Sequence, residues 1–220
     1  MRLRRVKNFD SRMERVAHLR QTEPVAKRTE RPLYLEIGCG MGTFITTLAA
    51  RNPAADFLGM EKEENVILRA MEKGAAVEVT NLRFLALDAA ELGAWLPENT
   101  LNGLYLNFSD PWPHWKDARK RLTHNGFLCQ YQKALKPGGF LEMKTDNAGL
   151  FAFSLKELAA CGWTIELQTN DLPWSDSNVQ TEYEARFREQ GLPIHKLRAV
   201  AAPEMVPVFM TDTGRQCHEG

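Results

Sequence analysis

Leu33-Tyr-Leu-Glu-Ile-Gly-Cys-Gly-Met-Gly42 decides the fold. An apolar run of strand type ends in three alternating glycines, and Phe44–Arg51 follows at once with apolar residues at helical spacing. The glycines permit a tight turn and close backbone approach to a ligand. A dinucleotide-binding turn would space them G-x-G-x-x-G and receive a pyrophosphate on the helix N-terminus. Here the spacing is G-x-G-x-G across Gly38, Gly40 and Gly42, and Glu36 stands before the first glycine. A carboxylate at that point repels a pyrophosphate. It suits a cationic ligand such as S-adenosyl-L-methionine, which carries a sulfonium and an ammonium group.

The same alternation of elements continues outward. After Leu33–Ile37, the segments Phe57–Met60, Leu82–Leu87, Gly103–Phe108, Gly139–Thr145 and Trp163–Thr169 read as strands. Phe44–Arg51, Glu63–Ala75, Leu122–Leu135 and Leu150–Cys161 read as the helices between them, and Pro137-Gly138-Gly139 marks the turn into the fifth strand. Strands alternating with helices predict an α/β fold with a doubly wound, mostly parallel sheet. Ligands of such sheets sit outside the carboxyl ends of the strands. Those ends are acidic here: Glu36, Glu61, Asp88, Asp110 and Asp146 follow or close strands one to five. One acid in a polar loop is ordinary, but five in succession are harder to dismiss. Glu61 lies where an acid can accept hydrogen bonds from ribose hydroxyls, or it is a solvated charge within Glu61-Lys-Glu-Glu64. Asp88 suits an adenine amino group, or equally the N-cap of the segment from Ala89. Together with the glycine turn, the acids point to the adenosyl cofactor.

A chain of 220 residues has room for one sizeable core. No apolar run approaches the ~20 residues needed to span a bilayer. MRLRRVKNF has no apolar stretch behind its basic residues, so it does not read as a signal peptide. A cytoplasmic location is the expectation. Cys39, Cys129, Cys161 and Cys217 show no C-x-x-C spacing and the histidines no metal-binding pattern, so neither a disulfide framework nor a metal is expected. Formal net charge is zero, yet residues 1–31 hold ten Lys/Arg against four Asp/Glu. Local patches set the field that a polyanion feels. The chain therefore divides into a basic N-terminal segment (1–31), a domain (32–199) and a tail (200–220). Oligomeric state is not readable from it.

Asn107-Phe-Ser-Asp-Pro-Trp-Pro-His-Trp-Lys-Asp-Ala-Arg-Lys-Arg-Leu122 sets a carboxylate, a tryptophan between prolines and four cations side by side at a strand end. With Leu35–Gly42, Lys144-Thr-Asp-Asn147 and Thr181-Glu-Tyr-Glu184, it resembles the tRNA guanine-N7 methyltransferase family over roughly residues 33–198. That resemblance implies a single-domain, Rossmann-like class I methyltransferase fold, no metal, and methylation of N7 of guanosine 46 in the tRNA variable loop. It implies cofactor contacts at Glu36, Glu61, Asp88 and Asp110 around the glycine turn. Substrate contacts would fall at His114, Asp146, Thr181, Glu182, Tyr183 and Glu184, and RNA contacts at Lys116, Arg119, Lys120 and Arg121. His114 departs from the lysine usual in the family, trading an ammonium for one imidazole hydrogen bond. Asp110 is expected to be catalytic by alignment, since guanine N7 carries no proton at neutral pH. A carboxylate at Glu184 or Asp146 could accept from guanine N1–H and N2–H₂.

Local readings stand beside these. Thr181-Glu-Tyr-Glu184 also fits a capping box, and Asp146 could cap the helix that ends at Cys161. Lys116–Arg121 also reads as a solvated helix start. Trp112 reads better as a packed wedge than as a stacking surface, because its flanking prolines stiffen the turn. Rival functions are a methyltransferase with another acceptor, a nucleotide-binding oxidoreductase and a non-catalytic RNA-binding subunit. The glycine spacing and Glu36 count against the second, and the retained acids against the third.

Overall fold

The computed structural model of the protein describes residues 6–26 and 30–201. β1 (Leu33–Ile37) buries every side chain except that of Tyr34, as a strand covered on both faces must. β2 (Asp56–Glu61) and β3 (Leu82–Ala86) extend the sheet on one side of it. β4 (Leu101–Asn107) and β5 (Leu135–Thr145) extend it on the other, and all five strands are parallel. β6 (Trp163–Thr169) and β7 (His195–Ala201) complete the order β3-β2-β1-β4-β5-β7-β6. Chain direction in the sheet reverses its spread between β1 and β4. That is the switch point at which doubly wound sheets open a crevice.

Two helical layers cover the sheet. α1 (Phe9–Val16), α2 (Thr43–Arg51) and α3 (Glu64–Ala76) form one, where Phe9, Val16, Leu19, Leu68 and Met71 cluster with Phe57 and Phe84 of the strands. α4 (Leu92–Trp95), α5 (Asn125–Ala134) and α6 (Ala148–Ala160) form the other, clustering Leu92, Leu128, Tyr131 and Leu158 with Leu104, Leu106 and Leu141. α7 (Glu182–Glu189) lies between β6 and β7 in the chain. No helix among the described residues is long and apolar enough to cross a membrane.

The doubly wound, mostly parallel sheet matches the expectation, and its edge corrects it. No strand was expected after Thr169, yet β7 inserts between β5 and β6, antiparallel to both. Its His195, Leu197 and Ala199 are buried, while the alternate Lys196 and Arg198 are half-buried. Lys196 pairs with Glu142 at 2.8 Å, and the Arg198 guanidinium covers the Phe140 ring at 3.8 Å. Cations at alternate positions make the segment read as polar, although their stems and partners are what the sheet uses. β7 also carries the domain past residue 199; residues 202–220, expected as a tail, lie outside the described residues.

The N-terminal cations are partly committed to the domain. Arg12 bonds both carboxylate oxygens of Glu72 at 2.7 and 2.6 Å, Arg31 pairs with Asp56 at 3.3 Å, and α1 packs on α3 through Phe9 and Val16. α5 starts at Asn125 and not at Leu122, with the His124 ring accepting from the Gly126 N–H. β5 starts at Leu135, four residues earlier than expected, with a register shift opposite Leu101/Gly103.

Candidate active site

Glu36 is the second-last residue of β1, pointing out of the carboxyl end of the sheet, and only 2% of it is exposed. Asn107, which closes the neighbouring β4, donates to its Oε1 at 2.8 Å. Oε2 has no partner. Burial raises the carboxyl from its ordinary 4.5 to about 8, although the Asn107 hydrogen bond pulls the other way. The field of Glu182 adds to the rise. A buried anion with one free oxygen demands a proton or a cation.

Above Glu36 opens a cleft of about 810 Å³ at the switch point, with Asp88, Asp110 and Trp112 among its walls. Gly38, Gly40 and Gly42 all take left-handed φ angles of 72°, 53° and 77°, which only glycine adopts without strain. A side chain on Gly42 would meet the Ala70 Cβ at 2.8 Å, so this glycine lets α2 pack on α3. Around Gly38 and Gly40 the space is open, and there the turn exposes its backbone to the cleft.

Glu61 closes β2 and accepts from the Gly40 N–H at 3.3 Å and the Glu63 N–H at 3.0 Å, which orients it along the cleft wall. Asp88 caps the short 3-10 turn at Ala89–Glu91 by accepting from the Ala90 N–H at 3.0 Å, and it also lines the cleft. The cap expected from the sequence is thus present, on a residue that lines the cleft. Asp110 is exposed at the lip. Its loop is bent by two non-glycine residues in the left-handed region, Phe108 (φ 52°) and Trp112 (φ 42°). Each such residue costs about 1–3 kcal/mol and needs surroundings that hold it. Arg121 does so, donating to the Pro111 carbonyl at 3.1 Å and the Trp112 carbonyl at 2.9 Å while lying over Phe153.

The basic run is thus divided in its duties. Arg121 braces the corner from within. Lys120 sits 4.6 Å from the Trp112 ring centre, pairs with Asp117 at 2.8 Å and, like Arg119, lines the cleft. Lys116 and Trp115 project outward, the latter 88% exposed. The segment is a 3-10 helix, Trp115–Lys120, and not the start of α5. Trp112 is partly packed and partly cleft wall.

At the start of α7, Thr181, Glu182 and Tyr183 reach the cleft. Tyr183 is 55% exposed and stacks on Phe108 with ring centres 6.3 Å apart. Glu184 does not fit the expectation that it reads a base. It is fully buried, and its oxygens take Lys144 at 2.9 Å, Asn178 at 2.6 Å and Arg188 at 3.0 Å. Only half of the capping box forms: Thr181 accepts from the Glu184 N–H at 2.9 Å, while the Glu184 side chain turns into this network. Asp146 is exposed at the end of β5, outside the cleft walls, and it is Asn147 that caps α6, accepting from Leu150 at 2.8 Å. His114 is likewise exposed and outside the walls.

Sequence reading passed over Asn107, Lys73, Lys144 and Arg188. Asn107 and Lys144 lie inside the motifs quoted above, so a polar residue facing inward from a strand was their available signal. Lys73 lies on α3 in a run with no motif, and nothing local marks it.

A family model described as a putative methyltransferase matches residues 30–197. The tRNA (guanine-N(7)-)-methyltransferase of Staphylococcus haemolyticus is 43% identical over 173 residues, covering 77% of this chain and 80% of that protein. That of Lachnoclostridium phytofermentans is 43% identical over 176 residues, covering 79% and 82%. Among solved structures, the 16S rRNA methyltransferase KamB superposes with a TM-score of 0.62 at 14% identity, over 92% of this chain and 97% of that one. A 16S rRNA (adenine(1408)-N(1))-methyltransferase variant from Catenulisporales acidiphilia, solved with its cosubstrate SAM, gives 0.60 at 18% identity, over 92% and 95%. At such identities these two speak for the fold alone, which is the Rossmann-like class I methyltransferase fold. A family model that runs from just before β1 into β7, joined by relatives this similar, means that the chain belongs to the tRNA (guanine-N(7)-)-methyltransferase family.

Proposed function

We propose that the protein transfers a methyl group from S-adenosyl-L-methionine to N7 of a guanosine in tRNA, at position 46 of the variable loop, in the cytoplasm. The observation that carries this reading is the Glu36 carboxylate, buried at the cleft floor with one oxygen unpartnered. It calls for positive charge, and the methionine end of that cofactor has two cationic groups. A pyrophosphate cofactor would set its charge against the same oxygen.

In this reading Glu36 and Asp110 hold the methionine end, Glu61 takes the ribose hydroxyls, and Asp88 takes the adenine amino group, with the glycine turn beneath. When bound, the cofactor supplies a methyl carbon activated by its sulfonium. The remaining work falls to the chain. Guanine N7 has a free lone pair, so no residue has to remove a proton; alignment and charge placement suffice. Asp110, on a corner stiffened by two prolines and held by Arg121, is the group that orients the base. Tyr183, backed by Phe108, offers an aromatic face at the cleft mouth. Stacking there is worth roughly 1–3 kcal/mol per base. Thr181 and Glu182 belong to the same wall. Lys116, Arg119 and Lys120 face phosphate and set register without reading sequence.

The test is incubation of the protein with labelled S-adenosyl-L-methionine and unmodified tRNA, followed by borohydride reduction and aniline cleavage. Label in tRNA and scission at the variable-loop guanosine are expected. Scission at another guanosine would remove the position, and cofactor binding without any label transfer would remove the acceptor.

A further inference from the structure

Two acids of α7 tie it to the rest of the domain in different ways. Glu184 is sealed inside, on Lys144, Asn178 and Arg188. Glu182 reaches along the cleft wall to the layer of α1, α2 and α3, where Lys73 of α3 donates to it at 2.6 Å. Thr43, the first residue of α2, hydrogen-bonds both Glu182 and Lys73. Both partners of the ion pair remain about one third exposed. Thus one side of α7 is anchored in the core and the other is held at the rim.

Glu182 is also the second acid near Glu36. Burial works to raise its own carboxyl, yet hydrogen bonds from Lys73, Thr43 and its own backbone N–H outweigh this and keep it below the ordinary range. Its negative charge is therefore held on the wall of the cleft that Glu36 also lines, where burial already disfavours a second carboxylate. The groups around Glu36 are Asn107 and Tyr105 from β4, Lys144 from β5, the Ile45 backbone N–H from α2, Cys39 from the glycine turn and Glu182 from α7. Burial, followed by the fields of Glu36, Glu61 and Glu182, keeps the Cys39 thiol well above its usual value, so the three acids share one region. Lys73 is the cation bonded to the one of these acids that comes from the substrate-side turn.

We propose that Lys73 is a positioning residue of this site: clamped on Glu182 and Thr43, it fixes the first turn of α7 along the cleft and offsets the acid that shares the cleft wall with Glu36. The proposal rests on the reading that Glu36 receives the cationic end of S-adenosyl-L-methionine. It gives the cofactor floor and the substrate-side turn a common charge setting. Removing Lys73 leaves Glu182 uncompensated, so Glu36 gives up its proton less readily. Removing the charge of Glu182 does the reverse.

The experiment measures the affinity of S-adenosyl-L-methionine between pH 6 and 9 by equilibrium dialysis for the parent, Lys73→Met, Glu182→Gln and Lys73→Arg. Both of the first two variants break the same ion pair, so a merely structural role would make them behave alike. The pH midpoint of binding is expected to move up in Lys73→Met and down in Glu182→Gln, and to stay near the parent in Lys73→Arg. A half-unit move in each direction changes the ionised fraction of Glu36 at pH 7, and hence affinity, by about threefold down or up. Equal shifts in the same direction, or no shift in either variant, would overturn the proposal. If the parent binds no S-adenosyl-L-methionine at any pH, the cofactor reading itself falls and takes the proposal with it.

Discussion

Single residues at this site act through charge. Glu36 titrates near 4.5 in an unfolded chain and at about 8 in the folded one. A carboxyl whose folded value is raised adds stability that is complete below the unfolded value and is lost as pH rises through the folded one. Between pH 4.5 and 8 the cofactor-free protein should thus lose stability on the order of 4–5 kcal/mol through this group. Glu36→Gln keeps an acceptor for Asn107 and cannot ionise. Urea unfolding across that range should show the difference between parent and variant widening with pH; a constant difference would contradict the buried carboxyl. Asp110 makes the opposite case, being exposed at the lip with no packing role. Asp110→Ala is expected to keep its circular dichroism and unfolding midpoint while methyl transfer to tRNA disappears. Normal transfer by that variant would reject Asp110 as the orienting group.

At the scale of elements, α7 depends on a buried ion pair. Lys144 and Glu184 are 1% and 0% exposed, and burial pulls the Lys144 ammonium down against the field of Glu184. Removing one partner of such a pair leaves a buried charge and typically costs about 3–5 kcal/mol, whereas replacing both by apolar groups is far milder. Glu184→Leu, which leaves the buried Lys144 ammonium without its counter-charge, should therefore destabilise the protein by that order in urea unfolding, whereas Lys144→Met should cost less, because Arg188 and Asn178 still hold Glu184. Equal losses in the two variants would mean that the pair matters through packing. The Thr181 cap survives both changes, because it uses the backbone N–H of position 184. This element also shows the limit of local motifs. Thr181-Glu-Tyr-Glu184 announces a helix start, and α7 begins there, but the motif is silent on where the second acid turns.

At the scale of the molecule, the zero net charge hides a divided surface. Lys116, Arg119 and Lys120 flank the cleft on one side, whereas Arg121 faces the loop interior and three N-terminal cations meet acids of the domain. Replacing Lys116, Arg119 and Lys120 by Gln should flatten the salt dependence of tRNA binding by about 2–3 in log–log slope. Arg121→Gln should leave the slope alone and lower the unfolding temperature. If Arg121 alone carries the slope, the division of duties drawn here is wrong. Much of this was legible in the sequence. Strand–helix alternation, the glycine turn and the acids at strand ends are local patterns with periods of two or 3.6 residues, and local sterics and hydrophobic burial enforce them wherever they occur. β7 alternates too, with Lys196 and Arg198 between the buried His195, Leu197 and Ala199, but its insertion antiparallel between β5 and β6 is a pairing across distant parts of the chain. The partners of charged side chains escape local pattern for the same reason. Lys144 and Glu184 are 40 residues apart, and Lys73 and Glu182 are 109 apart. A charge takes whichever counter-charge the packed chain brings to it, and only the tertiary structure chooses among them. The sequence by itself determined the doubly wound sheet and the acid-lined carboxyl end of its strands. Tertiary packing decided that Glu184 is sealed in the core, that Arg121 braces the corner, and that Glu182, held by Lys73, lines the same cleft as Glu36.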